Sequence, residues 1–486
     1  MKNLTYLLIA LVLFSCNDKL DLSPESNKNI EGFYKTPSQF YQAIMGCYDG
    51  IQNAMLKQNF SYMMSESRSD NAWQQVDYDD GLICRFTENA ELPILNTAWA
   101  NLYKYVARCN YVLESLNENT TLTSDQKKQY EGEARFLRAL FYFDLVRYFG
   151  SIPLVDKTLS IDEGYSLQKS STEKIYDFIV SDLKQATELL PDVKPSANPD
   201  RATALAARGF LGKVYVFRCG YPLKKNEWNL ASTELKATLD GIGDSGFLAN
   251  YRDIFDISYE NHDQAVFSIG CKSGSEGEGN PFPSRNTPND IKAGTDSLML
   301  QYGGSPMRVF LDDYILGSLF DEPGDKRYTY SIQTKYINTS LDTIKNQPFC
   351  RKYRSGTLAA NSDWDIDWIL LRYTDVYMLY AEAQYHQNGK DETLTILNRV
   401  RKRAGLTDLK AADVDTEDKF VEILLRERRK EFCFENQRWF DLVRTDKALD
   451  LMKPFLAHYG SQSNFTNRDQ YYYPIPQQET DITGVK

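Results

Sequence analysis

Histidine is scarce in this chain of 486 residues, and several familiar catalytic motifs are absent from it. The three histidines, His262, His386 and His458, lie far apart and form no H-E-x-x-H pattern, which argues against a zinc hydrolase. The sequence contains neither the G-x-S-x-G nucleophile motif nor the G-x-x-x-x-G-K-S/T phosphate-binding loop. We therefore assign no catalytic residue, no metal ligand and no cofactor.

One glycine-rich segment, residues 241–246, does match G-x-G-x-x-G. A dinucleotide-binding fold needs a strand before this motif and a helix after it, whereas here the motif follows a helical pattern. We interpret it as a loop that ends a helix. The 67 acidic residues do not by their number exclude a two-carboxylate glycoside hydrolase, so hydrolysis stays open as the alternative to binding.

An excess of positive charge is also missing. The formal net charge is -11 and no basic run stands out, so we discount nucleic acid as a partner. Seven cysteines follow Cys16; they are scattered, odd in number and never arranged as C-x-x-C. A disulfide framework is typical of short chains with regular spacing, so we predict buried free thiols.

The N-terminus indicates export and a lipid anchor. Lys2 precedes an apolar run over residues 4–14, which is too short to span a membrane and predicts a signal peptide over residues 1–15. The run ends in L-F-S-C, and this resembles a lipobox with Cys16 as the lipidated residue. The acidic residues after Cys16 resemble the surface-export signal of Bacteroidetes lipoproteins, although in enterobacteria an Asp there would indicate inner-membrane retention.

Most of the remaining chain shows helical periodicity with capping residues. Thr36 and Thr123 begin two helices, and Gly150 ends the second. The predicted helices cover residues 36–56, 95–116, 123–149, 171–190, 202–218, 227–239, 374–387, 392–404 and 416–435. Residues 59–94 and 241–365 are irregular, with strand-like pieces such as 265–269 and 369–371. L-G-x-x-Y at 211–215 and A-E-A at 381–383 are similar to tetratricopeptide repeats, but their period is irregular.

Several segments taken together resemble the SusD/RagB family of nutrient-binding lipoproteins. They are EARFLRALFYF (133–143), YFG (148–150), IPL (152–154), ILLRYTDVYMLYAEA (369–383), LNRVRKRAGL (397–406), ERRKEF (427–432), RWFDLVR (438–444) and YPIP (473–476). Each motif is weak alone, but their order and spacing match along nearly the whole mature chain. One departure is Thr374, where the family more often has Ala or Ser.

The resemblance implies an all-α, mainly helical SusD-like fold, with tetratricopeptide-like helix pairs, long irregular loops and minor β structure. It implies an N-terminal region over 16–240 and a C-terminal region over 241–486, packed as one unit. It further implies a non-catalytic, cell-surface lipoprotein of the outer membrane that delivers oligosaccharides, or in some members peptides, to a SusC-type TonB-dependent transporter. The alternatives are a surface glycoside hydrolase or peptidase of the same system, or a structural lipoprotein without a ligand.

The residues that bind a ligand are predicted from composition, because the family motifs do not mark them. A sugar presents an apolar C–H face and a rim of hydroxyls, which suits aromatic rings among amide and acid groups. Two irregular segments have this composition, around Trp73 and around Trp364. The predicted ligand-binding residues are Trp73, Asn71, Asp70, Gln74, Tyr78, Trp364, Asp363 and Tyr302. Trp73 is the leading candidate for an exposed platform; the alternative is a polar loop whose tryptophan packs inward.

Charge is dense between Arg426 and Arg444, where acidic and basic residues alternate at helical spacing. Pairs such as Glu427 with Lys430 contribute only about 0.2–0.5 kcal/mol on a helix surface. We therefore predict that these charges cross-link packed helices, with an anion or catalytic site as the less favoured interpretation. Trp99 and Trp439 lie on helical stripes and are predicted to be core residues.

Overall fold

The computed structural model describes residues 33–74, 78–118, 121–274, 277–295, 311–345, 347–354 and 360–485. The predicted signal peptide, Cys16 and Tyr302 lie outside these ranges. Among the described residues, no helix has both the length and the apolar character needed to cross a bilayer.

Helices dominate the N-terminal half. They are α1 (Pro37–Gln52, continued by a π-helical turn Asn53–Lys57), α2 (Phe60–Met63), α3 (Asp79–Cys84), α4 (Pro93–Glu118), α5 (Ser124–Phe149), α6 (Ile161–Tyr165), α7 (Thr172–Leu189), α8 (Ala204–Cys219) and α9 (Trp228–Ile242). Two short strands, β1 (Ile152–Pro153) and β2 (Lys169–Ser170), pair between α5 and α7. The predicted helices of this half are confirmed, with ends that differ by a few residues.

The C-terminal half mixes short strands with helices. The strands are β3 (Ala265–Ile269), β4 (Ile332–Gln333), β5 (Tyr336–Ile337), β6 (Thr343–Ile344), β7 (Phe349–Cys350) and β8 (Trp368–Arg372). The helices are α10 (Phe282–Arg285), α11 (Asp313–Leu319), α12 (Lys326–Ser331), α13 (Tyr373–Tyr385), α14 (Lys390–Ala404), α15 (Glu417–Glu431), α16 (Arg438–Arg444), α17 (Ala448–His458) and α18 (Gln477–Thr483). Antiparallel pairs β3–β8, β4–β7 and β5–β6 form three two-stranded sheets.

Local capping chemistry fixes the ends of the long helices. The Thr123 hydroxyl accepts a hydrogen bond from the backbone N–H of Gln126, and the Gln126 side chain accepts one from the backbone N–H of Thr123. This reciprocal pair satisfies two N–H groups that the first helical turn leaves without partners. Gly150, at φ 71°, ends the same helix in a backbone conformation that other residues rarely adopt. The capped start and glycine end predicted for α5 are confirmed.

Close packing explains two glycines of α8, one of them within the repeat-like motif at 211–215. At Gly212 of α8, an added Cβ would lie 2.5 Å from Cγ of Leu235 in α9. At Gly209, it would lie 2.9 Å from Cδ2 of Leu371 in β8. Glycine at these two positions lets α8 approach both a neighbouring helix and the β3–β8 sheet.

A continuous apolar core joins the N-terminal and C-terminal regions. Phe136 of α5 packs edge-on against Phe267 of β3, with ring centroids 4.8 Å apart. Trp99 and Trp439 are 4% and 1% exposed, which confirms the prediction that they are core residues. The boundary at residue 240 stays a prediction.

Buried ion pairs link the C-terminal helices to the β3–β8 sheet. Arg372, at the end of β8, donates to Glu431 (2.9 Å) and to Glu435 (2.6 Å). Arg428 of α15 contacts Asp375 of α13 and Asp441 of α16, at 2.8 Å each. Burial alone would raise the pKa of the Glu431 carboxyl, but Arg403, Arg372 and Arg327 lower it to about 2. The predicted cross-linking of helices is confirmed.

The charged residues of α15 find their partners on other elements, as predicted. Glu427 contacts Arg327 and Arg401, which lie on α12 and α14. Lys430 contacts Asp321 and Glu322, between α11 and α12. Buried carboxylates and cations need close, hydrogen-bonded partners, and neighbouring helices supply them at better geometry than the next turn of the same helix.

All seven cysteines after Cys16 are unpaired. Six of them are buried and Cys271 is half-buried, which largely confirms the prediction of buried free thiols. Burial raises the pKa of the Cys433 thiol to about 11, so this thiol stays protonated at neutral pH.

Candidate functional site

The segment around Trp73 is packed inward. Trp73 is only 6% exposed, and its ring stacks on that of Tyr459 with centroids 4.2 Å apart and planes 11° apart. Phe455 contacts the ring edge-on at 6.0 Å. The expectation of an exposed Trp73 platform is therefore wrong, because the end of α17 covers this ring.

Asp70 and Asn71 are buried and bound to arginines. Arg438 donates to both carboxylate oxygens of Asp70, at 2.8 and 2.9 Å. Arg429 donates to the Asn71 side-chain oxygen (2.8 Å), and the Asn71 amide donates to Glu66 (2.8 Å). Burial opposes ionisation of Asp70, but Arg429 and Arg438 lower the pKa of its carboxyl to about 2. These side chains tie the segment to α15 and α16, so they do not reach solvent.

The two remaining predicted residues of this segment differ in exposure. Gln74 is 6% exposed, so it too lies inside the protein. Tyr78, just before α3, is 64% exposed and offers a free ring face. Of the five residues predicted here, Tyr78 alone is exposed.

The second predicted cluster is also internal. Trp364 is 1% exposed, and its indole N–H donates to the Ser284 hydroxyl at 2.8 Å. Asp363 accepts hydrogen bonds from the Ser273 hydroxyl (3.1 Å) and from the backbone N–H of Gly274 (2.9 Å). The expected aromatic surface is therefore not presented at Trp364.

Two further aspartates of this segment bind the same loop. Asp365 accepts from the backbone N–H of Ser273 (2.7 Å), and Asp367 accepts from that of Cys271 (2.8 Å). Burial, together with the nearby Asp200 carboxylate, raises the pKa of Asp367 to about 8. The alternating acids of residues 363–367 thus act as acceptors for loop 271–274.

An exposed aromatic surface lies above Trp73. Tyr314 of α11 stacks on His458 at the end of α17, with centroids 3.7 Å apart and planes 2° apart. Tyr314 is 36% exposed and His458 is exposed, so this pair presents flat rings to solvent. We name the five rings of Trp73, Tyr314, Phe455, His458 and Tyr459 the aromatic ledge.

Polar contacts hold the aromatic ledge in place. The Tyr459 hydroxyl donates to Asp312 Oδ2 at 2.6 Å. The other carboxylate oxygen of Asp312 accepts from the backbone N–H of Ile315 and caps α11. One carboxylate therefore fixes both the start of α11 and the position of Tyr459. The indole N–H of Trp73 has no hydrogen-bond partner among the described residues.

This arrangement of rings and polar groups suits the binding of a sugar. Flat exposed rings can pack against the C–H face of a sugar, while hydroxyl, imidazole and carboxylate groups at the edge bind its hydroxyls. Within the part of the chain that the structure describes, no group of three or more His, Cys, Asp or Glu residues is placed to hold a metal ion.

Sequence reasoning missed Tyr314, His458 and Tyr459. Tyr314 falls within the long segment predicted to be irregular, and His458 is an isolated histidine in the sequence. One usable indication was the sequence H-Y-G at 458–460, where two aromatic rings precede a glycine. Their contact with Tyr314 and Trp73 depends on distant parts of the chain.

Comparison with known proteins gives consistent matches along the whole chain. The model described as "SusD family" matches residues 274–484, and the model described as "Starch-binding associating with outer membrane" matches residues 18–216. SusD-like protein P38 of Formosa agariphila is 28% identical, over 97% of this chain and 95% of that protein. A SusD-like protein of Bacteroides ovatus is 25% identical, over 89% of this chain and 80% of that protein.

Solved structures agree in fold. A SusD homolog from Bacteroides thetaiotaomicron has a TM-score of 0.78 at 22% identity, covering 95% of this chain and 98% of that one. Surface glycan-binding protein A from Bacteroides thetaiotaomicron, solved with laminarihexaose, has a TM-score of 0.74 at 22% identity, covering 92% and 98%. At this identity the likeness establishes the mainly helical SusD-like fold.

The predicted family and fold class are confirmed by these matches. Members of the SusD family are non-catalytic glycan-binding proteins, which agrees with the expectation that the chain is not an enzyme. The N-terminal match is to a family described as associating with the outer membrane. Two matched models that together span most of the chain, full-length relatives and a shared fold lead to one conclusion: the chain belongs to the SusD/RagB family.

Proposed function

We propose that this protein is a lipid-anchored glycan-binding protein of the cell surface, which holds an oligosaccharide without cleaving it and delivers it to a SusC-type TonB-dependent transporter. Family membership and the lipobox-like sequence at Cys16 support the proposal. A structural relative was solved with laminarihexaose, and another is described as laminarin-binding. A β-glucan oligosaccharide is therefore the first ligand to test.

The observation that carries the proposal is the stacked, exposed pair of Tyr314 and His458. Rings in this position are already oriented, so binding a sugar face costs little side-chain ordering. Tyr459 lies beneath this exposed pair and stacks on Trp73. Tyr78 and Tyr302 stay candidates for further contacts with the ligand. Tyr78 is a candidate because it is exposed, and Tyr302 because of its sequence context.

Affinity electrophoresis through gels that contain single polysaccharides, laminarin among them, tests the proposal. The protein from residue 17 onward should be retarded by at least one glycan. The double variant Tyr314→Ala/His458→Ala should lose that retardation, because both exposed faces are gone. Tyr259→Ala is the matched control, since Tyr259 is 50% exposed but lies outside the aromatic ledge.

Two results would contradict the proposal. Unchanged retardation of the double variant would remove the aromatic ledge from the binding site. Release of reducing ends from the retained glycan, or of amines from a peptide substrate, by the purified protein would favour the alternative of a surface glycoside hydrolase or peptidase.

A further inference from the structure

A second concave surface lies between α4, α6 and α18, and it shares no lining residue with the aromatic ledge. It is a groove of about 490 Å³, within the range of about 300–1,000 Å³ typical of ligand sites. Trp99 and Tyr103 of α4 form part of its lining. The Tyr103 hydroxyl donates to the Pro153 carbonyl oxygen at 2.7 Å, so the groove presents the ring and not a free hydroxyl.

Large apolar side chains converge on this groove and stay exposed. Ile161 is 77% exposed, Tyr165 57% and Ile482 51%, and all three line it. The first two come from α6 and the third from α18. A contiguous exposed apolar patch on a folded protein marks an interaction surface more often than a chance arrangement.

One carboxylate in the groove lacks a partner. Glu479 of α18 lines the groove and is half-buried. Its carboxylate has no hydrogen bond and no cation within ion-pair distance among the described residues. Lys157, the other charged residue of the lining, is occupied by Glu163 at 2.6 Å. A partly desolvated, unpaired carboxylate is stabilised by a cation that a ligand brings.

We propose that this groove binds a peptide segment of a partner protein, in which aliphatic side chains flank one lysine or arginine. The aliphatic side chains match Ile161, Tyr165 and Ile482, and the cation pairs with Glu479. A sugar fits less well, because isoleucine side chains form no hydrogen bonds with its hydroxyls. A second copy of this chain also fits less well, since each copy carries a net charge of -11.

Selection from a random peptide library displayed on phage tests this inference, with the protein from residue 17 onward as the target. Phage retained by the wild type and not by Ile161→Ser should display Leu, Ile or Val on both sides of a Lys or Arg. Ile161 is mostly exposed, so its replacement should leave the melting temperature unchanged. Leu341→Ser, which removes a 64% exposed leucine elsewhere, is the matched control and should retain the same phage.

The selected peptide, made synthetically, then tests the ion pair. Glu479→Gln should raise its Kd about tenfold, and a peptide with norleucine in place of lysine should bind both proteins equally. Asp481→Asn, an exposed carboxylate on the same helix that does not line the groove, should leave the Kd unchanged.

Three results would overturn the inference. They are an absence of phage that depend on Ile161, selected sequences without a basic residue, and an equal effect of Glu479→Gln on the lysine and norleucine peptides. A concentration-dependent dimer that Ile161→Ser abolishes would assign the groove to self-association instead. Retardation by glycans is measured on the same variants and should not change, so this inference and the proposed function fail separately.

Discussion

Replacing Trp73 with alanine tests whether its ring supports the core or serves as an exposed ligand-binding surface. Sequence composition alone predicts that Trp73→Ala weakens glycan binding and spares stability. The structure reverses the second expectation, because the ring is 6% exposed and stacks on Tyr459. Truncation of a buried tryptophan to alanine costs about 3–5 kcal/mol of unfolding free energy. Of this, the contact with Tyr459 contributes about 0.5–1.5 kcal/mol beyond the buried area.

The expected change in melting temperature follows from the size of the folded unit. An unfolding entropy of about 2.1 cal/mol/K per residue gives about 0.95 kcal/mol/K for roughly 450 residues that unfold together. Trp73→Ala should then lower the melting temperature by about 3–5 °C in a calorimetric scan. Trp73→Phe keeps a ring against Tyr459, so its melting temperature should fall by less than half as much as that of Trp73→Ala.

Glycan affinity is measured on the same two variants. Trp73→Ala should also weaken binding, because Tyr459 loses the ring that it stacks on, whereas Trp73→Phe should stay close to the wild type. A melting temperature within about 1 °C of the wild type for Trp73→Ala would refute the reasoning. It would mean that the ring contributes little to the core despite its burial.

Five further outcomes are expected. Asp367, whose pKa is raised to about 8, favours the folded protein while protonated; this contribution is full below about pH 4 and is lost progressively as pH rises to 8, so Asp367→Asn should raise the melting temperature much more at pH 8.5 than at pH 5. Asp70, whose pKa is lowered to about 2, contributes stability above about pH 4 that is lost as pH falls towards 2. Arg438→Met should lower the free energy of unfolding by about 3–5 kcal/mol in denaturant titrations at pH 7, because it removes a partner of the buried Asp70. Lys453→Met is the control and should leave the free energy of unfolding unchanged. Cys16→Ala should abolish incorporation of radiolabelled fatty acid, and persistence of the label would contradict the lipobox interpretation. Gentle detergent extraction of the outer membrane should co-purify a large β-barrel transporter, and repeated isolation of the protein alone would argue against the proposed partner.

Helices were predictable because their determinants are local. Thr123 begins α5 and Gly150 ends it, each through contacts with residues one turn away. The strand at 265–269 was predictable for a similar reason, since a short apolar run between turns favours an extended segment. Its partner in β8 is about a hundred residues away, and the sequence does not indicate which strand pairs with which.

The candidate site was harder to predict, because its residues come from distant segments. Residues 70–78 were predicted as a binding segment because their composition combines aromatic, amide and acid groups. Composition could not indicate that Arg429 and Arg438 occupy Asn71 and Asp70. Burial is a property of the packed structure, so a tryptophan among polar residues can equally be a platform or a core ring.

The ion pairs that organise the C-terminal helices also position the aromatic ledge. Arg438 holds Asp70, only three residues from Trp73, and this fixes the ring against Tyr459. Tyr459 in turn is bound to Asp312, which caps the helix that carries Tyr314. The exposed pair is thus connected to the buried network through these contacts. Because such a surface is already ordered, its affinity for a glycan should depend on the exposed faces of Tyr314 and His458, while its stability depends on the rings and charges beneath them.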